Sequence, residues 1–193
     1  MTVWHWVRHG PTHEKTFVGW RDVPADLSDT GTILRVVEHL PDEALMISSD
    51  LIRCVATADA LQSPGHRRLP HDSDLRELHF GDWDGLHFTE VAQRDPELSR
   101  AYWETPGDVV APGGESWNQA AARVDRVVDR LNQDHPDAHI IAVAHFGVIL
   151  TQIQRALGVG PVAAMAHKID NLSVTTLSHV AGTWDAHLIN HIP

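Results

Sequence analysis

Thr2-Val3-Trp4-His5-Trp6-Val7, followed at once by Arg8-His9-Gly10, is the stretch on which the fold turns. Apolar and aromatic side chains fall on both parities of the run, as in a strand covered on both faces. Such strands belong to sheets with helices on either side. In open α/β sheets ligands bind beyond the carboxyl ends of the strands. The Arg-His-Gly therefore stands where chemistry is expected.

Outward from this strand the alternation of strand and helix continues. Ser28-Asp29-Thr30-Gly31 opens a helix on which Ile33, Leu34, Val37 and Leu40 recur at helical spacing until Pro41. Ala44–Ile47 reads as a second strand ending in Ser48-Ser49. Asp50 is a candidate cap for the next helix, whose stripe is Leu51, Val55, Ala58 and Leu61. Arg68–His71 is a candidate third strand. Residues 75–115, rich in aromatic, acidic, Gly and Pro residues, read as an irregular, partly helical insertion over the site. Trp117, Ala120, Ala121, Val124, Val127, Val128 and Leu131 form an amphipathic stripe, leaving Arg123, Arg126, Asp129 and Arg130 for other faces. His139–Ala144 is a buried strand, Val148 to Leu157 a helix ended by Gly158, and Val174–Val180 with Thr183–Ile189 a closing hairpin. The expectation is one domain over residues 1–193: an α/β three-layer sandwich with a mainly parallel central sheet flanked by helices, and the insertion over its C-terminal strand edge.

Composition narrows the function. The chain has 193 residues, 15 Lys+Arg against 26 Asp+Glu, a net charge of −11 and 15 His. That acidic balance argues against nucleic-acid or anionic-membrane partners, which need a basic outer face. The lone Cys54 excludes an intrachain disulfide framework and a Cys-based zinc site, and fits a reducing compartment. No secretory leader pattern is visible and no run approaches the ~18 apolar residues of a membrane span, so a cytoplasmic location is expected.

The strand ends collect a short set of residues: Arg8 and His9 after the first, Arg53 one turn into the helix after the second, Glu77 in Leu75-Arg76-Glu77, and His145-Phe146-Gly147 after the fourth. Two guanidinium forks suit a dianionic phosphate. A neutral imidazole within that cage is a nucleophile toward phosphorus near pH 7. A second histidine, if cationic, would stabilise charge on the transferring group, and a carboxylic acid at the rim could protonate the leaving oxygen. None of the five needs a metal, and the i, i+4 pairs His135/His139 and His187/His191 lack a third ligand. No metal is expected.

A larger set of motifs occurs in order: Val7-Arg8-His9-Gly10-Pro11-Thr12, Gly19-Trp20-Arg21-Asp22, Leu27-Ser28-Asp29-Thr30-Gly31, Ser48-Ser49-Asp50-Leu51-Ile52-Arg53, Leu75-Arg76-Glu77 leading into Phe80-Gly81-Asp82-Trp83-Asp84-Gly85, Pro112-Gly113-Gly114-Glu115-Ser116 and Ala144-His145-Phe146-Gly147. From residue 3 to about residue 150 the chain resembles the histidine phosphatase (phosphoglycerate-mutase-like) superfamily. The resemblance implies that His9 becomes phosphohistidine, that Arg8, Arg53 and His145 hold the phosphoryl group, that Glu77 donates the proton, and that neither a metal nor an organic cofactor is needed. Thr12, Lys15, Trp20, Arg21 and Phe146, with the two arginines, are the candidate substrate contacts. Two positions depart from the family pattern: Lys15 where Asn is usual, adding positive charge, and Phe146 where Gly is common, narrowing the pocket.

The implied activity is hydrolysis of a small phosphate ester. The short chain and the Phe-Gly-Asp-Trp-Asp-Gly segment favour it over a phosphomutase, and a phosphate-binding module without turnover is the third reading. Plainer roles stand beside these. Arg53 could pair with Asp50, Asp82 or Asp84 could replace Glu77, and Glu115 could merely open the long helix. Trp20, Trp83 and Trp103 could be core or pocket, and Cys54 a small packed residue.

Overall fold

The computed structural model describes residues 1–193. Its centre is one sheet of six strands: β1 (Thr2–Arg8), β2 (Ala44–Ser48), β3 (His66–Arg68), β4 (His139–Ala144), β5 (Val174–Val180) and β6 (Thr183–His191). The order is β3-β2-β4-β1-β5-β6. The first four strands run parallel, and β5 and β6 are antiparallel additions at one edge. This is the expected α/β fold with a mainly parallel sheet.

Both faces of the sheet are covered, which is why its strands are apolar on both parities. On one face Val7, Met46, Ile141 and Val143 meet α1 (Thr30–His39) and α2 (Ile52–Ala60). On the other, Trp4, Trp6, Ile47, Ile140 and Ala142 meet α5 (Trp117–Asp134) and α6 (Phe146–Leu157). Trp4 and Trp6, two apart on β1, stack at 5.1 Å and are fully buried. Between Leu75 and Glu115 lie one 3-10 turn (Gly81–Trp83), α3 (Phe88–Arg94) and α4 (Pro96–Glu104), and a further short helix, α7 (Pro161–Met165), precedes β5.

Local chemistry explains the boundaries. Asp29 caps α1 through the Thr32 amide. Ser116 and Gln119 form a reciprocal capping box at the head of α5, and Gly158, at φ 63°, ends α6 in the left-handed conformation. Three expectations are corrected. The third strand is His66–Arg68, earlier than Arg68–His71, because it pairs along Ala44–Met46 and Pro70 has no amide to extend the ladder. Asp50 does not cap α2: Leu51 holds that position with no side-chain bond, while Asp50 accepts two hydrogen bonds from Arg76 at 2.8 and 2.6 Å. Arg123 is not on an outer face of α5 but buried on its inner stripe. No helix is long and apolar enough to cross a membrane.

Candidate active site

Because β1, β2 and β4 are parallel, their carboxyl ends open on one edge, and Arg8, His9, Arg53 and His145 are delivered there from segments far apart in sequence. His9 follows β1 directly and is buried at 6% exposure. Its Nδ1 lies 2.7 Å from the carbonyl oxygen of Gly10. A carbonyl can only accept, so Nδ1 carries the proton and Nε2 keeps its lone pair. The backbone around it is fixed from two sides: the Gly10 amide donates to the Thr57 hydroxyl at 3.0 Å, and Asn171 donates to the His9 carbonyl at 2.8 Å. Burial, then the neighbouring Arg53, push the His9 pKa down to about 3, so the ring is neutral near pH 7.

His145, the residue before α6, is fully buried and its ring centroid is 5.2 Å from that of His9. The Cys54 sulfur lies 3.3 Å from its Nε2. Burial and then Arg53 and His9 hold its pKa well below the usual histidine range. It is therefore neutral near pH 7. Burial likewise pushes the Cys54 thiol up, to an inert packed role.

Glu77 is buried at 7% exposure, its Oε1 accepting from the amides of Leu78 and Gly147, each at 3.0 Å. Desolvation raises its pKa, against opposing contributions from those amides, Arg53 and Arg8. Gly147 allows the contact, since a Cβ there would sit 2.5 Å from Glu77 Oε1.

The arginines are held by main chain, not by carboxylates. Arg8 donates from Nη1 to the Ile169 carbonyl at 2.6 Å. Arg53 donates to the carbonyls of Arg21 and Gly19 at 2.8 and 2.7 Å, not to Asp50. Each leaves a buried Nε donor without a partner. Buried guanidinium donors without acceptors are costly, and an anion satisfies them.

A cleft of about 270 Å³ opens over this set, lined by Arg8, His9, Thr12, Glu77 and Phe146 from the sequence candidates. Phe146 packs over the Arg8 guanidinium, 5.4 Å from ring centroid to Cζ. Arg53 and His145 are buried beside His9 and do not form the cleft wall: Arg53 perturbs both histidines, and the His145 ring is 5.2 Å from that of His9. Three other candidates stand outside the cleft. Lys15 is exposed and lines a separate groove of about 140 Å³ with Thr16, Phe17 and Phe88. The Arg21 side chain is engaged by Asp84 at 3.0 Å and by Thr16 and the Phe17 carbonyl at 3.1 Å each. Trp20 stacks on His79 at 4.1 Å and donates to the Glu77 carbonyl at 2.8 Å, so it supports the Glu77 segment from behind. Asp84 is engaged by the Gly19 and Arg21 amides, and Asp82 faces Arg94 at 3.6 Å. Trp83 is core, while Trp103 is a cleft wall.

Sequence reasoning overlooked Glu14, Phe17 and Phe80 in the cleft, and Arg123 behind it. Arg123 donates to the carbonyls of Asp74, Arg76 and Glu77 at 2.7, 2.6 and 2.8 Å and pairs with Glu115 at 2.5 Å. Its signal was present: position 123 lies three after Ala120 and four before Val127, within the apolar stripe of α5.

The family model described as histidine phosphatase superfamily (branch 1) matches residues 5–192. The chain belongs to that superfamily. The assignment agrees with similarity to individual proteins. Phosphoglycerate mutase-like protein 4 of Arabidopsis thaliana is 36% identical over 178 residues, covering 87% of this chain and 75% of the relative. A bifunctional protein of Mycobacterium tuberculosis is 33% identical over 174 residues, and the chain spans only 46% of its length. Mycobacterial glucosyl-3-phosphoglycerate phosphatase, solved with VO3, superposes with a TM-score of 0.86 at 28% identity, covering 98% of each chain. Its enzyme class is accordingly that of a histidine phosphatase.

Proposed function

We propose that this histidine phosphatase is a metal-independent phosphomonoesterase that hydrolyses a small phosphate ester through a phosphohistidine on His9. The observation that carries the reading is the hydrogen bond from His9 Nδ1 to the Gly10 carbonyl, which leaves Nε2 the unprotonated nucleophile. Nε2 attacks phosphorus in line, the P–Nε2 bond forms and the P–O bond to the alcohol breaks. The protonated Glu77 carboxyl gives its proton to the departing oxygen. The ring becomes cationic as it takes the phosphoryl group, and its Nδ1–H bond to Gly10 strengthens with that charge. Water then attacks phosphorus, the P–N bond breaks, and the Glu77 carboxylate takes the proton from water. Arg8 and Arg53 neutralise the equatorial oxygens, and His145 joins them once the dianion has favoured its protonation. The similarity to a solved phosphatase supports hydrolysis over transfer to a second alcohol.

In the test, His9→Ala loses hydrolysis of a generic aryl phosphate, and rapid quenching of the unaltered enzyme traps acid-labile phosphate on His9. Activity is retained in EDTA. Turnover by His9→Ala would overturn the mechanism, and loss in EDTA restored by a divalent cation would overturn metal independence. A bisphosphorylated species accumulating during turnover would favour a mutase.

A further inference from the structure

What surrounds the reacting groups differs in kind from them. Beyond Arg8, His9 and Glu77 the cleft is walled by Phe17, Phe80, Trp103 and Phe146. Three of these form one aromatic cluster: Phe17 lies 5.0 Å from Phe80, tilted to it, and 5.9 Å from Trp103, on which it stacks with the ring planes 7° from parallel. Phe80 and Trp103 are 6.3 Å apart. Trp103 remains 36% exposed although its neighbours Tyr102 and Trp83 are buried. The surface continues past Phe17 into the neighbouring groove, where the Phe88 ring is 62% exposed.

Charge in the cleft points the same way. Arg8 is its one lining cation, and Glu14 and Glu77 are its carboxyl groups. In the proposed mechanism the phosphoryl group takes Arg8, together with the buried Arg53. A substrate with a second negative charge, such as a phosphorylated hydroxy acid, would bring its carboxylate toward Glu14. The nearest lysine, Lys15, lines the outer groove, and the Arg21 guanidinium is already held by Asp84 and Thr16. Extra carboxylates therefore have no partner here, whereas a flat uncharged ring has a wall of four aromatic side chains on which to stack.

We propose that the alcohol carried by the substrate is an uncharged, flat, apolar or aromatic group packed against Phe17, Phe80 and Trp103, and that Trp103 is the specificity-determining residue. This rests on the phosphatase reading and names its substrate class. It separates the chain from the mycobacterial relative, whose named substrate, glucosyl-3-phosphoglycerate, carries a carboxylate.

The experiment compares alkyl esters, so that leaving-group reactivity is matched: 2-naphthylmethyl phosphate against 3-phosphoglycerate and O-phosphoserine. The non-hydrolysable 2-naphthylmethylphosphonate and the phosphonate analogue of 3-phosphoglycerate are titrated calorimetrically beside them. The naphthyl ester has at least tenfold higher kcat/KM and its phosphonate at least tenfold lower Kd. Trp103→Ala lowers that ratio about tenfold, mainly through KM, and Trp103→Phe restores most of it. Equal or better use of the carboxylated esters, with that preference lost in Lys15→Ala, would overturn the proposal while leaving the phosphatase intact. Absence of turnover on every ester would instead overturn the phosphatase reading. The phosphonate titrations still decide the substrate class in that case, and equal Kd values would overturn it.

Discussion

Two protonation states, set by neighbours, govern the proposed chemistry at the level of single residues. His9 must be neutral to attack, and its pKa of about 3 secures this across the physiological range. Glu77 must be protonated to donate, and its raised pKa favours that form. The sign follows: kcat/KM for an alkyl ester falls as pH rises through the raised Glu77 pKa, and falls again as pH drops toward 3, where His9 takes up a proton. Glu77→Gln keeps the shape but carries no transferable proton. Its kcat on an alkyl ester should drop about 10²–10⁴-fold and the alkaline limb should vanish. A pH–rate profile unchanged in shape would remove Glu77 from the reaction. Gly147→Ala tests the same carboxyl from the other side. The added methyl meets Glu77 Oε1 at 2.5 Å and Leu78 Cγ at 2.8 Å, so kcat should fall while phosphate binding by the arginines is largely kept. At this scale the convergence of His9, Arg8, Arg53, Glu77 and His145 was legible because they follow strand ends in short motifs. The side chains of Lys15, Trp20 and Arg21 were misplaced because a loop's sequence does not reveal which side chains its own turns will engage.

The helix α5 shows how an element can hold a site it does not line. Arg123 reaches from its buried face to the carbonyl groups of Asp74, Arg76 and Glu77 and to Glu115. Removing one partner of a buried ion pair strands the other charge and typically costs about 3–5 kcal/mol. Arg123→Met should therefore lower the urea midpoint and also depress kcat, because the Asp74–Glu77 backbone loses three hydrogen bonds, one of them at Glu77 itself. Ser116→Ala, which removes the cap of the same helix, should cost only about 1 kcal/mol and leave kcat near the original value. Equal losses of kcat in both variants would mean that α5 acts only through overall stability. Glu115 was open between helix entry and other duties, and the structure gives it a specific one. It accepts from the His79 amide at 2.9 Å as well as from Arg123. The helices and long strands were readable from periodicity. The three-residue β3 and the five-residue α7 were not, because neither is long enough to repeat a pattern.

For the whole molecule, charge and buried histidines set the response to solution conditions. The net charge of −11 repels a phosphate ester at long range, and the arginines act only at contact. Raising ionic strength from low to moderate should not reduce kcat/KM; a steep fall would imply long-range attraction that the composition does not supply. Acid is different. His5, buried by its surroundings and beside His139 and His39, has its pKa pushed down to about 4, and its Nε2 lies 3.1 Å from His139 Nδ1. The unfolded chain binds that proton near 6.5 and the folded one near 4, so stability is full above 6.5 and is lost as pH falls through that window. Each such group removes about 2 kcal/mol between pH 6.5 and 5. Urea midpoints for the original protein should fall over this range, and less steeply for His5→Gln. The 15 histidines thus include the buried pair His9 and His145 at the candidate site and others, such as His5, that tie folding to pH.

The strand order also constrains the protein's birth. β4 lies between β2 and β1, so the two strands synthesised first cannot pair with each other and wait on either side of a vacant slot. At about 5–20 residues per second, the chain from Ser48 to His139 takes on the order of 5–20 seconds to emerge. Throughout that time β1 and β2 present unpaired edges rich in Trp, Val, Ile and Met. The arrangement that brings His9 beside His145 thus makes the half-made chain sticky, and its yield in a cell should depend on chaperones that shield those edges until β4 arrives.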